Sequence, residues 1–220
     1  MKQIIALVLI LCFSALAFAS SGDESAPMTE KTFDYKDWTF KNLQDGKNVN
    51  LRSFAAGKKL VLVVYFAAWC PNWRNEAPRV ERLYDKYKDK GFDVVAVSEY
   101  ASLDDTKKNI ADNKFTFTVV TESESGDAKQ KTTHYAYRQA TGDTRNWGSP
   151  WNIFLEPNKL EKSGDAISKK AFVVNGEIVE TEVETFIRQK LGLPIETKIA
   201  AQNQNQKSET CEPTTALKKP

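Results

Sequence analysis

Residues 58 to 69 read KKLVLVVYFAAW, a continuous apolar run rich in β-branched residues. A strand that is covered by helices on both faces has this composition, and a strand with one wet face does not. The pattern then changes at once. From Ala77 the apolar positions Val80, Leu83, Tyr84 and Tyr87 recur at spacings of three and four, the period of a helix. A buried strand handing over directly to a helix restricts the chain to an α/β architecture. At the junction stands Cys70.

The rest of the chain repeats the alternation. FDVVAVSEY is a second buried strand, LDDTKKNIADN a helix with an acidic first turn, and FTFTVVTE a third strand. GDAKQKTTHYAYRQATG reads as a helix and WNIFLE as a fourth strand. KAFVVNGEIVE reads as two short strands around Asn175-Gly176, and EVETFIRQKLG as a closing helix. Ahead of these, WTFKNLQDGKNVNL alternates on both sides of Asp45-Gly46, a hairpin signal. The expected fold is a central mixed sheet flanked by helices, with parallel crossovers and an N-terminal β-hairpin extension.

The ends differ from this core. Residues 1–19 have a basic start at Lys2, an apolar run and Ala17-Phe18-Ala19, the pattern of a signal peptide cleaved after Ala19. The run is short for a membrane span, so the mature product is expected to be soluble and unanchored, in a periplasm or secreted. Residues 20–31 read as a flexible leader, 32–192 as the domain, and 193–220 as a disordered tail rich in Gln, Asn and Lys. Lys and Arg number 31 against 29 Asp and Glu, with no dense basic block, which excludes nucleic acid as a partner.

Export would remove Cys12 and leave Cys70 and Cys211, too few for a disulfide scaffold. The one histidine, His134, is expected on or near a helix surface. With no Cys/His cluster beside it, neither a metal site nor a cofactor is expected. Cys70 is the remaining chemical candidate. At the first turn of a helix, free backbone N–H groups and the helix dipole favour a thiolate. Pro71 suits that turn because its missing N–H had no partner to lose. Trp69 supplies an apolar wall for a substrate.

The segment VLVVYFAAWCPNWRNEAP resembles the active-site segment of thioredoxin-like redoxins, especially envelope-type thiol–disulfide oxidoreductases. Phe66, Ala68, Trp69, Cys70, Arg74, Glu76 and Pro78 carry the likeness. It extends to the DGKNVNLRSF hairpin and to Gly148-Ser149-Pro150, covering residues 33–192. The resemblance implies a thioredoxin-like fold with Cys70 as the attacking cysteine. It also implies that Pro150 is a cis-proline beside the site, and that Glu76 is a carboxylate able to assist proton transfer. Without it, Glu76 reads as a solvated surface charge and Pro150 as trans. AFVVNGEIVE also fits the strand–turn–strand after the cis-proline, in which case Leu155 to Lys170 is an insertion.

One departure is decisive for mechanism. The family's second cysteine is replaced by Trp73, after Pro71 and Asn72. The resemblance then implies exchange with protein or small-molecule thiols and disulfides, with an external reductant resolving the mixed disulfide. Cys211 is a second possible resolver, though a random tail cysteine reads better. The rival reading is a non-catalytic binding module with Trp69, Trp73 and Trp151 as an aromatic docking surface. A one-cysteine thiol peroxidase ranks lower, because Val63 and Ala67 stand where that chemistry wants proline and a hydroxyl.

Overall fold

The computed structural model describes residues 24–195. The signal-peptide pattern with Cys12, and most of the tail with Cys211, lie outside the described residues. The elements are strands β1 (Thr29–Lys36), β2 (Thr39–Asn42) and β3 (Asn48–Asn50), helix α1 (Leu51–Ala55), strand β4 (Leu60–Phe66), helix α2 (Pro71–Tyr87) and strand β5 (Phe92–Ser98). Then come helix α3 (Leu103–Asn113), strand β6 (Thr118–Thr121), helix α4 (Thr133–Thr141), strands β7 (Trp151–Leu155) and β8 (Ala166–Val174), and helix α5 (Glu180–Leu191).

The strands form one sheet in the order β1-β8-β7-β4-β5-β6-β2-β3. The centre, β4-β5-β6, is parallel, because each link there carries a crossover helix. The flanks are antiparallel. Strand β4 shows why its sequence reads as unbroken apolar. Leu60, Leu62, Val64 and Phe66 join the core under α2 and α5, while Val61, Val63 and Tyr65 join the opposite core with α1, α4 and β1. Period two then puts an apolar side chain on each face.

Several expectations shift. The hairpin at Asp45-Gly46 forms, with Gly46 at φ +74°. Helix α2 ends at Tyr87, and a 3-10 turn follows to Gly91 at φ +100°. Strand β1 starts at Thr29, inside the stretch read as leader, because Phe33 and Tyr35 alternate inward and zip it to β8.

Of the two short strands expected around Asn175-Gly176, the first is the end of β8 and the second does not form. Strand β8 ends at Val174, and the turn instead meets the N-terminal segment: Glu177 N donates to Glu24 O (3.0 Å) and Ala26 N donates to Glu177 O (3.1 Å). Gly176 permits this approach, since a Cβ there would lie 2.2 Å from Glu24 O. Strand β8 pairs back on β7, so residues 155–170 form the connecting part of the β7–β8 hairpin.

Candidate functional site

Helix α2 emerges from the C-terminal end of β4 with Cys70 as its N-cap residue in extended geometry (φ −71°, ψ 126°). The Cys70 side chain makes no capping bond, and no acidic residue lies in the first turn. The first-turn amides of α2 therefore have no side-chain acceptor from the cap position. Cys70 is almost covered, at 7% exposure for the residue, and Sγ donates to Ser149 O at 3.1 Å.

The Ser149–Pro150 peptide bond is cis, as the resemblance implied. Ser149 also accepts at Oγ from Ala67 N (2.8 Å), which ties the loop to the strand end before Cys70. Two guanidinium groups hold the loop from below. Arg145 Nη2 donates to Pro150 O at 2.8 Å and to Asp143 Oδ2 at 2.8 Å. Arg138, fully buried, donates from Nε to Asp143 Oδ2 (3.1 Å) and from Nη2 to Arg145 O. Gly148, at φ +58°, lies against Arg138 so closely that a Cβ would fall 1.7 Å from Nε. Asp143 is held below its usual carboxyl range: burial opposes this, and the Arg145 and Arg138 guanidinium groups outweigh it.

The aromatic residues do not form the surface the sequence suggested. Trp69 is 39% exposed and donates from Nε1 to Tyr100 O (2.9 Å). Trp73 is fully buried, stacked on Phe66 with ring centres 4.4 Å apart, and donates to Asn109 Oδ1 (3.0 Å). Trp151 is fully buried and donates to Asn175 Oδ1 (2.8 Å). Burial of large indoles whose N–H finds an internal acceptor is the lower-energy arrangement. Trp147 takes the missing place, half-buried and 5.3 Å from Trp69, edge to face. Its position just before Gly148-Ser149-Pro150 was the available signal. Pro71 is exposed and Asn72 half-exposed at the rim.

Glu76 is no surface charge. It is fully buried and accepts from Ile178 N (2.7 Å) and Asn152 Nδ2 (3.3 Å). Burial pushes its pKa up to about 8, against the pull of those two donors, and the nearby Glu177 adds to the rise. Glu76 thus carries its proton at neutral pH. His134 is also interior: its ring stacks on Tyr65 at 5.1 Å, Nδ1 meets Tyr100 Oη at 3.0 Å, and burial holds its pKa well below the usual range. Both corrections have one cause, partners that arrive from distant elements. Among the described residues no three His, Cys, Asp or Glu side chains gather as a metal site, and no helix is long and apolar enough to cross a membrane.

Residues 32–141, from β1 through α4, match the model of the AhpC/TSA family. The chain belongs to the AhpC/TSA family. Among solved structures it is similar to a protein described as the thiol:disulfide interchange protein DsbE from Chlorobium tepidum. That pair shares 26% identity over 74% of this chain and 98% of the other, with a TM-score of 0.52. A thiol:disulfide interchange protein of the thioredoxin family from Chlorobium tepidum TLS aligns over the same shares at 18% identity and TM-score 0.52. A thiol:disulfide interchange protein from Bacteroides sp. aligns at 21% identity over 74% and 90%, with TM-score 0.51. No match was found among curated proteins. The fold of this AhpC/TSA member is thioredoxin-like, and the cysteine corner lies inside the matched segment.

Proposed function

We propose that the protein is an exported thioredoxin-like domain, residues 32–192 behind a cleaved leader of residues 1–19, that exchanges thiols and disulfides through Cys70 alone. One observation carries the reading: Cys70 Sγ lies at the uncapped start of α2, 3.1 Å from the carbonyl that precedes cis Pro150. The similarity to the DsbE structure supports the same chemistry.

The Cys70 thiolate attacks one sulfur of a disulfide RS–SR′. A Cys70–S–S–R bond forms, the S–S bond of the substrate breaks, and R′S⁻ leaves to take a proton. In a two-cysteine enzyme the next sulfur along the helix would then expel the product. Trp73 has no thiol, so an external R″SH attacks the mixed disulfide, R–S–S–R″ departs and Cys70 returns as thiolate. The proton of R″SH balances the one taken up by R′S⁻, and the net change is RS–SR′ + R″SH to RS–SR″ + R′SH; a second external thiol attacking RS–SR″ completes a two-electron reduction. Glu76, protonated up to about pH 8, is a buried proton store on the same helix.

The family match favours peroxide reduction as a second reading. It ranks lower because Val63 and Ala67 offer no hydroxyl to a peroxide. The test is the rate at which the protein forms a mixed disulfide with a small disulfide reagent at about pH 6, where an ordinary thiol of pKa ~8.5 is protonated. A rate above that of free cysteine is expected. A rate no higher ends the catalytic reading and favours a binding module centred on Trp69 and Trp147. Rapid peroxide consumption with slow disulfide exchange selects the peroxidase.

A further inference from the structure

A line of aromatic rings leads from the edge of the cysteine corner into the centre of the domain. Trp69 is the single exposed aromatic side chain among the described residues. Its ring lies 5.3 Å from Trp147, Trp147 lies 5.4 Å from Tyr100, and Tyr100 lies 5.6 Å from His134. His134 stacks on Tyr65 at 5.1 Å with the planes 5° apart, and Tyr65 Oη shares a 2.9 Å hydrogen bond with Tyr35 Oη. Exchange at Cys70 uses none of these inner rings.

We propose that this line conducts one-electron oxidation. An oxidising equivalent delivered at Trp69 by a diffusible radical oxidant passes through Trp147 and comes to rest on Tyr100, whose phenolic proton moves to His134 Nδ1.

The oxidant takes one electron from Trp69 and is reduced. Trp69 regains an electron from Trp147, and Trp147 from Tyr100. As Tyr100 loses its electron its O–H bond breaks, and the proton forms an N–H bond at His134 Nδ1, which faces Tyr100 Oη at 3.0 Å. The products are one reduced oxidant, one tyrosyl radical and one imidazolium. This assigns the ring proton of neutral His134 to Nε2.

Two details fit the direction of flow. Lys129 Nζ stands 4.5 Å from the centre of the Trp147 ring. A cation there makes removal of an electron costlier, so Trp147 is a bridge and not a resting place. Oxidised phenol is a strong acid, so even the weakly basic His134 can take its proton. The effect is to move the oxidising equivalent from the surface beside Cys70 into the interior.

Pulse radiolysis of the full chain with azide radicals, which oxidise exposed tryptophan, tests this. The tryptophanyl absorption is expected to decay as the tyrosyl absorption rises, at a rate independent of protein concentration and slowed in D2O. Tyr100→Phe loses that phase, and Trp147→Phe slows it. Tyr84→Phe, whose ring packs on Phe117 off the line, keeps it. A rise proportional to protein concentration, no solvent isotope effect, or an unchanged phase in Tyr100→Phe overturns the proposal. If Tyr100→Phe does not fold, the concentration and isotope measurements on the parent and Trp147→Phe decide.

Discussion

Helices α2 and α3 start in opposite ways. At α3 the Ser102 hydroxyl accepts from Asp105 N (3.1 Å), and Asp104 and Asp105 sit in the first turn. At α1 and α4, Asn50 and Thr132 cap in the same manner. At α2 the cap position is Cys70, with no capping bond and no acid. A missing oxygen cap costs about 0.5–2 kcal/mol. Helix α5 also lacks an oxygen cap, at Val179, but carries Glu180 and Glu182 in its first turn; among the described α-helices, α2 alone has neither a side-chain cap nor a first-turn acid. Under the proposed function, the capped starts supply stability and the start of α2 supplies chemistry.

The largest test of that contrast is Cys70→Ser. It should abolish disulfide exchange, yet raise stability by about 1 kcal/mol, because a serine hydroxyl can cap α2. Thiol assays and thermal unfolding read the two effects. If stability does not rise, the start of α2 was never short of a cap and the contrast fails.

Trp73→Cys sharpens it. Losing a fully buried indole should cost about 3–5 kcal/mol in denaturant unfolding. Positions 70 and 73 are neighbours on the first turn, so a 70–73 disulfide should form. Insulin reduction with turnover is then expected when an external reductant is supplied. A folded, disulfide-forming variant without turnover would mean that the loop at Pro150 is not a substrate site.

Glu76 gives a pH signature. Its carboxyl is raised from 4.5 to about 8 in the folded protein. Between those values the unfolded chain has released the proton and the native state still holds it. Stability therefore falls as pH rises through this window, by at most about 1.4 kcal/mol per pH unit. Unfolding of Glu76→Gln measured across the window should be flat in this respect. The smallest effect belongs to Ser102→Ala. About 1 kcal/mol of stability should go, with the exchange rate of Cys70 unchanged.

What the sequence disclosed and what it hid divide along physical lines. The strand β4, the junction at Cys70, the α3 boundaries and the Asp45-Gly46 turn follow from local pattern. The cis-proline came only through family likeness. Glu76 and His134 read as outward, as Trp73 and Trp151 do in the docking-surface alternative, for a common reason. Each is buried by a hydrogen-bonding partner from a distant segment: Ile178 and Asn152 for Glu76, Tyr100 for His134, Asn109 for Trp73 and Asn175 for Trp151. No periodicity within one helix or strand records a partner that arrives from another. Strand β1 was partly missed because its outward positions are polar, so TEKT looks like linker until β8 lies beside it.

The pairing of Thr29 with Val173, and of Ala26 with Glu177, has a consequence for how the chain is made. A ribosome delivers the N-terminal partner first and its mate only after nearly the whole domain has followed. The edge strand β1 must therefore wait, extended and unpaired, through synthesis. Contacts this remote in sequence are slow to close, and a waiting strand offers its free backbone to other chains. If residues 1–19 direct translocation, that waiting segment lies directly behind the leader. Completion of the sheet then falls on the far side of the membrane, after the last helix has emerged.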